Sequence, residues 1–324
     1  MDLSVIIIYA NEGQELLREC LKSVYSSLGN ISTTPLENLA LKGEDEGGFS
    51  IQHLGPLGTL RLEPLGGLHF EVIVINNSAE KTEGLKKDFV NLVWIENGKN
   101  YGVSHTRNQG AKLARGRALI FLDTDQMSLD GAIEKMYTYL IQHSDIGALS
   151  PQVVLPDGRV QVTWGELPSL SYLFIETLCL PMRGDFDPRD GFYDFLSGGG
   201  TMIKREVWQE VGDYDQKFFY GWEDTDWCKR AGAAGVKLFY FPEAKFLHLL
   251  HQGADKIGAR QTEFYLSAIY YYRKHYGFFT GSLVWLWILI FSLSRIGLSW
   301  FKKQGRGPRG LNWRLVKSII AQKP

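Results

Sequence analysis

The stretch Ala118-Leu119-Ile120-Phe121-Leu122-Asp123-Thr124-Asp125 decides the predicted fold class. Its five apolar residues are typical of a strand that is buried on both faces of a parallel sheet. Two carboxylates, Asp123 and Asp125, come directly after the strand, and we expect a helix-like segment to follow them. Ligands of open α/β sheets bind beyond the carboxyl ends of the strands. The stretch therefore predicts a central strand with a polar site at its end.

The segments around this strand alternate between strand and helix patterns. The predicted elements of the first half are strands at 3–8, 70–75 and 92–95 and helices at 12–27 and about 103–115. Such alternation is typical of an α/β fold whose mostly parallel sheet is covered by helices on both faces. Asn11 and Asn76-Asn77 also follow strand ends. We therefore expect them to converge with Asp123 on one edge of the sheet.

The second half of the chain has shorter elements. We predict helices near 204–211, 223–234 and 260–275 and a strand at 236–241. Residues 29–69 break the alternation, because about forty residues rich in glycine and proline stand where a few would suffice. We interpret them as a surface insertion with a hairpin near 50–63. A lid over the site is the alternative.

The composition of the chain argues against some classes of protein function. The chain has 324 residues and a formal net charge of −1. This charge argues against general nucleic-acid binding, which usually needs a basic excess. The three cysteines have neither zinc nor disulfide spacing, and the first residues lack the basic region and cleavage site of a signal peptide. We therefore expect a reducing, cytoplasmic environment.

Several polar residues are candidates for chemistry. Asp123 and Asp125 can both approach one hard cation, because Mg²⁺ and Mn²⁺ prefer oxygen ligands and often bridge carboxylates to phosphates. A solvated turn or a helix cap is the alternative for this pair. His248 follows a strand, and a packed or surface histidine is the alternative to a ligand. Arg107, near the start of a helix, is a candidate phosphate partner.

A second acidic group, Glu223-Asp224-Thr225-Asp226, lies within an aromatic segment. Carboxylates beside apolar rings can have raised pKa values and act as general bases. The same acids could instead cap the helix that begins there. The run Ser197-Gly198-Gly199-Gly200-Thr201 lacks the spacing of a phosphate-binding loop. It indicates close backbone approach to a ligand or strand, or a bulged strand.

Taken in order, these segments resemble the inverting glycosyltransferases of family 2, which have the GT-A fold. The resemblance covers about 1–28 and 70–275, and the second half is most similar to the rhamnosyltransferase-like branch. The matching segments are 5–12, 74–78, 100–102, 107–110, 121–125, 197–200, 212–215, 218–226 and 242–248. The resemblance implies a Rossmann-like, mixed but mainly parallel sheet flanked by helices. The GT-A domain would span 1–275.

The resemblance also implies residue roles. Asp224 would be the general base, and Asp123, Asp125 and His248 would hold Mn²⁺ or Mg²⁺ on the donor diphosphate. The residues that would line the nucleotide sugar are Ala10, Asn11, Glu12, Asn77, Arg107, Asp123, Gly199, Trp222 and Glu223. Direct displacement would move the sugar, with inversion, to a glycan or lipid-linked saccharide. The family usually has an aspartate in the segment of Asn76-Asn77, so uridine and thymidine donors both stay open.

Residues 278–294 form an uncharged apolar stretch that would span about 26 Å as a helix, against a hydrocarbon core of about 30 Å. Basic residues follow it, so a single crossing would put the catalytic domain outside the cell. We therefore expect 276–324 to associate with the cytoplasmic face of the membrane, with a helix in the leaflet and a second amphipathic helix near 311–319. A single pass and a helix docked on the domain are the alternatives.

Two other function classes stay open. A nucleotidyltransferase shares the sheet and the cation chemistry, but it would have a glycine-rich and basic loop after the first strand, which Tyr9-Ala10-Asn11-Glu12-Gly13 does not supply. A non-catalytic, membrane-associated protein that binds nucleotide sugars is the second class. The carboxylates at 123, 125 and 224 argue against it.

Overall fold

A computed structural model describes part of the chain. The described backbone comprises residues 1–10, 12–28, 42–43, 49–50, 68–81, 85, 88–89, 92–177, 189–250, 254–301 and 306–321. Within these ranges, side chains are not described at 42–43, 49–50, 172, 175–177, 254–259, 298–301 and 306–312. Asn11, most of the predicted insertion at 29–69 and the hairpin predicted near 50–63 lie outside the described residues.

Fourteen strands and eight helices are formed by the described residues. The strands are β1 Leu3–Tyr9, β2 Lys42–Gly43, β3 Phe49–Ser50, β4 Phe70–Asn76, β5 Leu92–Glu96, β6 Ala118–Asp123, β7 Gln126–Leu129, β8 Ala148–Val154, β9 Val160–Gln161, β10 Trp164–Gly165, β11 Gly191–Tyr193, β12 Phe195–Leu196, β13 Met202–Lys204 and β14 Leu238–His248. The helices are α1 Gln14–Ser27, α2 Val103–Leu113, α3 Ala132–Gln142, α4 Leu170–Thr177, α5 Arg205–Val211, α6 Glu223–Ala233, α7 Ala254–Phe301 and α8 Arg306–Ala321.

The main sheet has the order β11-β14-β8-β13-β6-β1-β4-β5 among the described strands, with β7 beside β14 and β9 beside β8. Strands β5, β4, β1 and β6 are mutually parallel. Strand β13 is antiparallel to both β6 and β8. The predicted mixed, mainly parallel sheet is confirmed, and its helices lie on both faces.

Each central strand supplies both faces of the core, because side chains alternate along a strand. Val5 and Ile7 belong to the cluster on the side of α1 and α3, whereas Ile6 belongs to the cluster on the side of α5 and α6. The seven residues of β1 are all buried. This double burial is the reason why the strand is apolar except at Ser4.

The end of β14 differs from the prediction. The strand continues past 241 to His248, with a bulge between Phe241 and Lys245 that accommodates Pro242. Beyond the bulge it pairs with β7, so that His248 stands opposite Gln126. The helix-like segment expected after Asp125 was therefore wrong. A strand forms there because β14 offers it a partner.

Helix α7 is two helical arms that meet at Gly277, whose φ of 88° and ψ of 174° are not helical. The arms fold back on each other, since the rings of Tyr265 and Phe291 lie 6.1 Å apart. A third core joins both arms to α8 and to the start of α6. Its buried members include Trp222, Leu266, Ile269, Tyr272, Val284, Ile288, Leu315 and Ile319.

Candidate functional site

The carboxyl ends of β4, β1 and β6 lie side by side and form the edge of the site. In register, Tyr9 of β1 stands beside Asn76 of β4, and Ile8 stands beside Asp123 of β6. The parallel pairing therefore brings Asn77 and Asp123 to the same edge, as the sequence predicts.

Arg107 of α2 connects the two acidic groups. Its Nη2 lies 3.4 Å from Asp123 Oδ1 and its Nη1 lies 3.1 Å from Glu223 Oε1. The Arg107 side chain is 4% exposed. Burial disfavours its charged form, but Asp123 and Glu223 outweigh that effect and raise the pKa of Arg107. One buried guanidinium thus fixes the end of β6 relative to the start of α6.

The glycine run makes room for this network. An added Cβ would lie 2.3 Å from Arg107 Nη1 at Gly198, and 2.7 Å from Gln126 Nε2 at Gly199. Both positions therefore need glycine if Arg107 and Gln126 are to keep their places. The run is a loop before β13, with Gly200 at a positive φ of 86°. The structure has close backbone approach, here to the Arg107 and Gln126 side chains. It also has the hydrogen bonds of a bulged strand, since the Gly200 N–H and the Thr201 carbonyl both pair with Phe121.

Asp224 lies in the first turn of α6 and faces this loop. Its Oδ2 accepts a hydrogen bond from the Gly198 backbone N–H at 3.0 Å, and its Oδ1 accepts one from the Thr225 N–H at 2.7 Å. The side chain is partly exposed. These two donors fix the position of the Asp224 carboxylate at the start of α6.

The two residues before Asp224 are buried. Burial, and then the Asp224 charge, raise the pKa of Glu223 to about 7, while Arg107 opposes the shift. Glu223 Oε2 has no hydrogen-bond partner among the described residues.

Trp222 begins the helix at a positive φ of 71°, and its indole packs on Phe264 and other rings of α7. The contact of Trp222 with the nucleotide sugar stays a prediction.

His248 is brought to Asp125 by the pairing of β14 with β7. Its Nε2 lies 3.3 Å from Asp125 Oδ2, and its Nδ1 lies 2.7 Å from Gln161 Oε1. Burial disfavours the charged imidazole, but Asp125, with a smaller effect of Asp123, outweighs it and raises the pKa of His248. In its protonated form the imidazole donates from Nδ1 to Gln161 and from Nε2 to Asp125.

The donor set at this position suits a divalent cation. Two carboxylates and an imidazole are ligands of Mn²⁺, and an imidazole oriented by a second hydrogen bond is usual at metal sites. Asp125 and His248 are adjacent, whereas Asp123 is turned toward Arg107. No group of three or more His, Cys, Asp or Glu side chains is gathered for a metal in the described part of the chain. The three-ligand set stays a prediction.

The residues near β1 and β4 that we predict to contact the nucleotide form hydrogen bonds within the protein. Asn77 Nδ2 donates to Asn100 Oδ1 at 3.0 Å, and its Oδ1 accepts from the Tyr101 N–H at 3.0 Å. Glu12 Oε2 accepts from the Ala10 N–H at 2.7 Å and from the Thr124 hydroxyl at 3.1 Å. These bonds hold the edge in shape, and any contact of Asn77 and Glu12 with a nucleotide stays a prediction.

The first arm of α7 holds α6 from the opposite side. The buried Asp226 Oδ1 lies 2.7 Å from both Lys274 Nζ and His275 Nε2, and its Oδ2 lies 3.0 Å from Arg230 Nε. Burial lowers the pKa of His275 although Asp226 opposes the shift. The helix that carries Asp224 is thus clamped to the C-terminal region.

Sequence reasoning missed three polar residues at the site. Gln126 Oε1 accepts from the Asp123 N–H at 3.2 Å, Gln161 contacts His248, and Arg260 contacts Glu12. Gln126 could have been found, since it follows the two aspartates directly. No local sequence pattern marks Gln161 or Arg260 as a site residue, because their partners are distant in the chain.

Residues 60–212 match the family described as Glycosyl transferase family 2. The chain carries a glycosyl transferase family 2 domain. The match includes β4 to α5 and the aspartates at 123 and 125, whereas Asp224 and His248 lie beyond it.

Named relatives of this family 2 domain include two rhamnosyltransferases. The chain is 24% identical over 168 residues to an N-acetylglucosaminyl-diphospho-decaprenol L-rhamnosyltransferase of Mycobacterium tuberculosis (strain CDC 1551 / Oshkosh), a match over 48% of this chain and 55% of that protein. It is 23% identical over 231 residues to the dTDP-rhamnosyl transferase RfbF of Shigella flexneri, over 64% of this chain and 69% of that protein. The chain thus spans little more than half of the mycobacterial relative.

A solved structure supports the fold. The crystal structure of GalNAc-T7 with UDP, GalNAc and Mn²⁺ superposes with a TM-score of 0.52 at 18% identity, over 81% of this chain and 47% of that chain. At this identity the likeness concerns the fold alone. The predicted GT-A-like fold and the predicted family are both confirmed.

Proposed function

We propose that the protein is an inverting glycosyltransferase that moves a sugar from a nucleotide-diphosphate donor to a glycan or a lipid-linked saccharide. The observation that carries this proposal is the Arg107 bridge. It holds Asp123, at the end of a parallel strand, and Glu223, beside Asp224, on two sides of one buried guanidinium. A candidate metal ligand, Asp123, and the residue before the candidate base are therefore bound to the same guanidinium.

The reaction is a direct displacement at the anomeric carbon. The acceptor hydroxyl gives its proton to Asp224, and its oxygen bonds to the anomeric carbon as the bond to the diphosphate oxygen breaks. Attack opposite the leaving group inverts the configuration. The Gly198 and Thr225 N–H groups hold the Asp224 carboxylate in place, because a base must be within hydrogen-bond reach of the proton.

Asp123, Asp125 and His248 would hold Mn²⁺ or Mg²⁺. When bound, the cation neutralises negative charge that develops on the leaving diphosphate. Gln161 orients His248, and Gln126 orients Asp123 through its backbone.

The donor sugar that we propose is rhamnose. Two named relatives are rhamnosyltransferases, and the second half of the chain is similar to that branch. The base of the donor stays open between uridine and thymidine, and Asn77 and its neighbours at the strand edge are its proposed contacts.

The membrane surface is a proposed partner of the second arm of α7. Its outward face carries an apolar stripe at helical spacing, made of Phe279, Leu283, Leu286, Ile290 and Leu293, which are 45–83% exposed. The helix at 260–297 is long enough to cross a membrane and contains an 18-residue window with a mean hydropathy of 1.7, a property that core helices of soluble proteins share. Since the arms fold back at Gly277, we propose that the stripe lies in the cytoplasmic leaflet.

The activity test is a screen of nucleotide sugars, including UDP- and TDP-linked donors, with and without Mn²⁺. We expect release of the nucleoside diphosphate, whereas release of pyrophosphate would identify a nucleotidyltransferase. Asp224→Asn should keep donor binding and lose transfer by about 10²–10⁴-fold, because the amide cannot take the proton. Asp145→Asn, at a surface aspartate paired with Lys237, is the matched control. Near-normal transfer by Asp224→Asn would exclude Asp224 as the base.

The membrane test is co-sedimentation with vesicles that contain anionic phospholipid. Leu286→Glu places a charge in the middle of the stripe and should abolish binding. Leu113→Glu, which introduces the same charge at an exposed leucine of α2, should bind like the wild-type protein. Equal binding of both variants would contradict the proposed membrane face.

A further inference from the structure

We infer that Arg260 binds the diphosphate of the donor, an assignment that rests on the proposed function. Arg260 lies on the first arm of α7, and its Nη2 stands 3.3 Å from Glu12 Oε1. Its guanidinium carbon is 5.5 Å from the centroid of the Tyr220 ring. The guanidinium therefore lies between the end of β1 and the aromatic segment that precedes α6.

This position belongs to the edge where the diphosphate would bind. The other oxygen of Glu12 accepts from the Thr124 hydroxyl, between the two aspartates of the candidate metal site. Burial raises the pKa of Tyr220, Arg260 opposes the shift and Asp123 adds to it. The charges of Arg260 and Asp123 thus reach the same phenol ring. Through Glu12 and Thr124, Arg260 is thus connected to the segment that carries Asp123 and Asp125.

Asp123, Asp125 and Glu12 make this edge acidic, so a diphosphate would be stabilised there by a basic side chain in addition to the proposed metal ion. Arg107 is 4% exposed and already paired with Asp123 and Glu223. The Arg260 side chain is 25% exposed, and its contact with Glu12 is long for a charge-assisted hydrogen bond. Arg260 can therefore turn toward a ligand, whereas Arg107 is held within the network.

The chemistry of the side chain fits a diphosphate. A guanidinium presents several donors in one plane, which match two phosphate oxygens at once. Stacking on an aromatic ring orients that plane and leaves its edge free to donate. When the donor arrives, Arg260 exchanges the single carboxylate of Glu12 for the more highly charged diphosphate. The carboxylate thus keeps the guanidinium in place until the phosphate replaces it.

The test separates binding of the diphosphate from binding of the nucleoside. Calorimetry of the full chain with Mn²⁺ measures the affinity for UDP and TDP, and for uridine and thymidine. Arg260→Ala should weaken binding of whichever diphosphate the wild type prefers by about 10- to 100-fold, the range of one charge-assisted contact. The affinity for the free nucleoside should not change. Arg260→Lys should recover part of the loss, since it keeps the charge without the fork.

The matched control is Arg18→Ala. Arg18 is a surface arginine of α1 with one carboxylate partner, Asp88, and it is 38% exposed. It should bind both ligands like the wild type, and thermal melting shows whether all variants fold. If Arg260→Ala binds the diphosphate as well as the wild type, or loses nucleoside affinity equally, the assignment to Arg260 is wrong while the proposed function stands. If the wild type binds no nucleoside diphosphate, the proposed function fails and the assignment falls with it.

Discussion

Gly198→Ala perturbs the site without adding any charge. The new Cβ would lie 2.3 Å from Arg107 Nη1, whereas ordinary contacts begin at 3.4 Å, so the guanidinium must move by 3.4 − 2.3 = 1.1 Å. Gly198 does not have a positive φ. Backbone strain therefore adds nothing, and the whole effect comes from the displaced arginine.

The cost follows from the ion pairs of Arg107. A shift of this size is enough to break its 3.1 Å contact with the buried Glu223. Breaking a buried pair costs about 3–5 kcal/mol. Because the contact with Asp123 can persist, we expect a loss of about 2–3 kcal/mol, or a melting temperature lower by roughly 5 °C. Transfer should fall by about 10²-fold, since Asp224 is held by the same glycine.

Thermal melting and a transfer assay on the same samples test this reasoning. Gly232→Ala is the control, because Gly232 lies in α6 and an added Cβ meets nothing within 4 Å. Alanine is the better helix former, so this variant should be more stable by about 0.5–1 kcal/mol. A Gly198→Ala protein that melts and transfers like the wild type would refute the view that Arg107 is held rigidly.

Three further predictions concern stability and reactivity. Burial alone would raise the pKa of Glu71, but its bonds to Ser4 and Arg115 lower it below the ordinary 4.5. Glu71 therefore adds stability above about pH 4.5 that is lost as the pH falls toward its folded pKa. In a plot of melting temperature against pH, Glu71→Gln should make the acid side less steep. An unchanged slope would contradict this. Gly102→Ala should cost at least about 2 kcal/mol in urea unfolding, because Gly102 has a φ of +86° and its Cβ would lie 2.7 Å from a backbone oxygen; a cost near zero would be inconsistent with the close approach. Burial raises the pKa of the Cys20 thiol, so mass spectrometry should find Cys20 alkylated by iodoacetamide in urea but not in the native protein, and rapid native alkylation would disprove its burial.

The parallel half of the sheet could be predicted from local sequence. Strands β1, β4 and β6 are buried on both faces, and each contains an apolar run, at 5–8, 72–75 and 118–122. Because parallel strands end on one edge, the meeting of Asn77 and Asp123 followed from the order of the elements.

The rest of the site depends on pairing over long distances. Strand β7 has no pattern that distinguishes it from a helix start, and it forms because the end of β14 lies beside it. Arg260 meets Glu12 across 248 positions of the chain. No short segment of sequence can contain such a pair. For this reason the residue roles were inferred from the resemblance to a family, and Arg260 was not predicted.

The fold-back at Gly277 has a practical consequence for protein production. An apolar tail after residue 275 invites removal to obtain a soluble enzyme. The second arm, however, forms one wall of the core that contains Ile269 and Tyr272. A shortened protein would bare those side chains and loosen the arm that carries Arg260 and Lys274. Mild detergent with the arm intact is therefore a better route to an active sample than deletion.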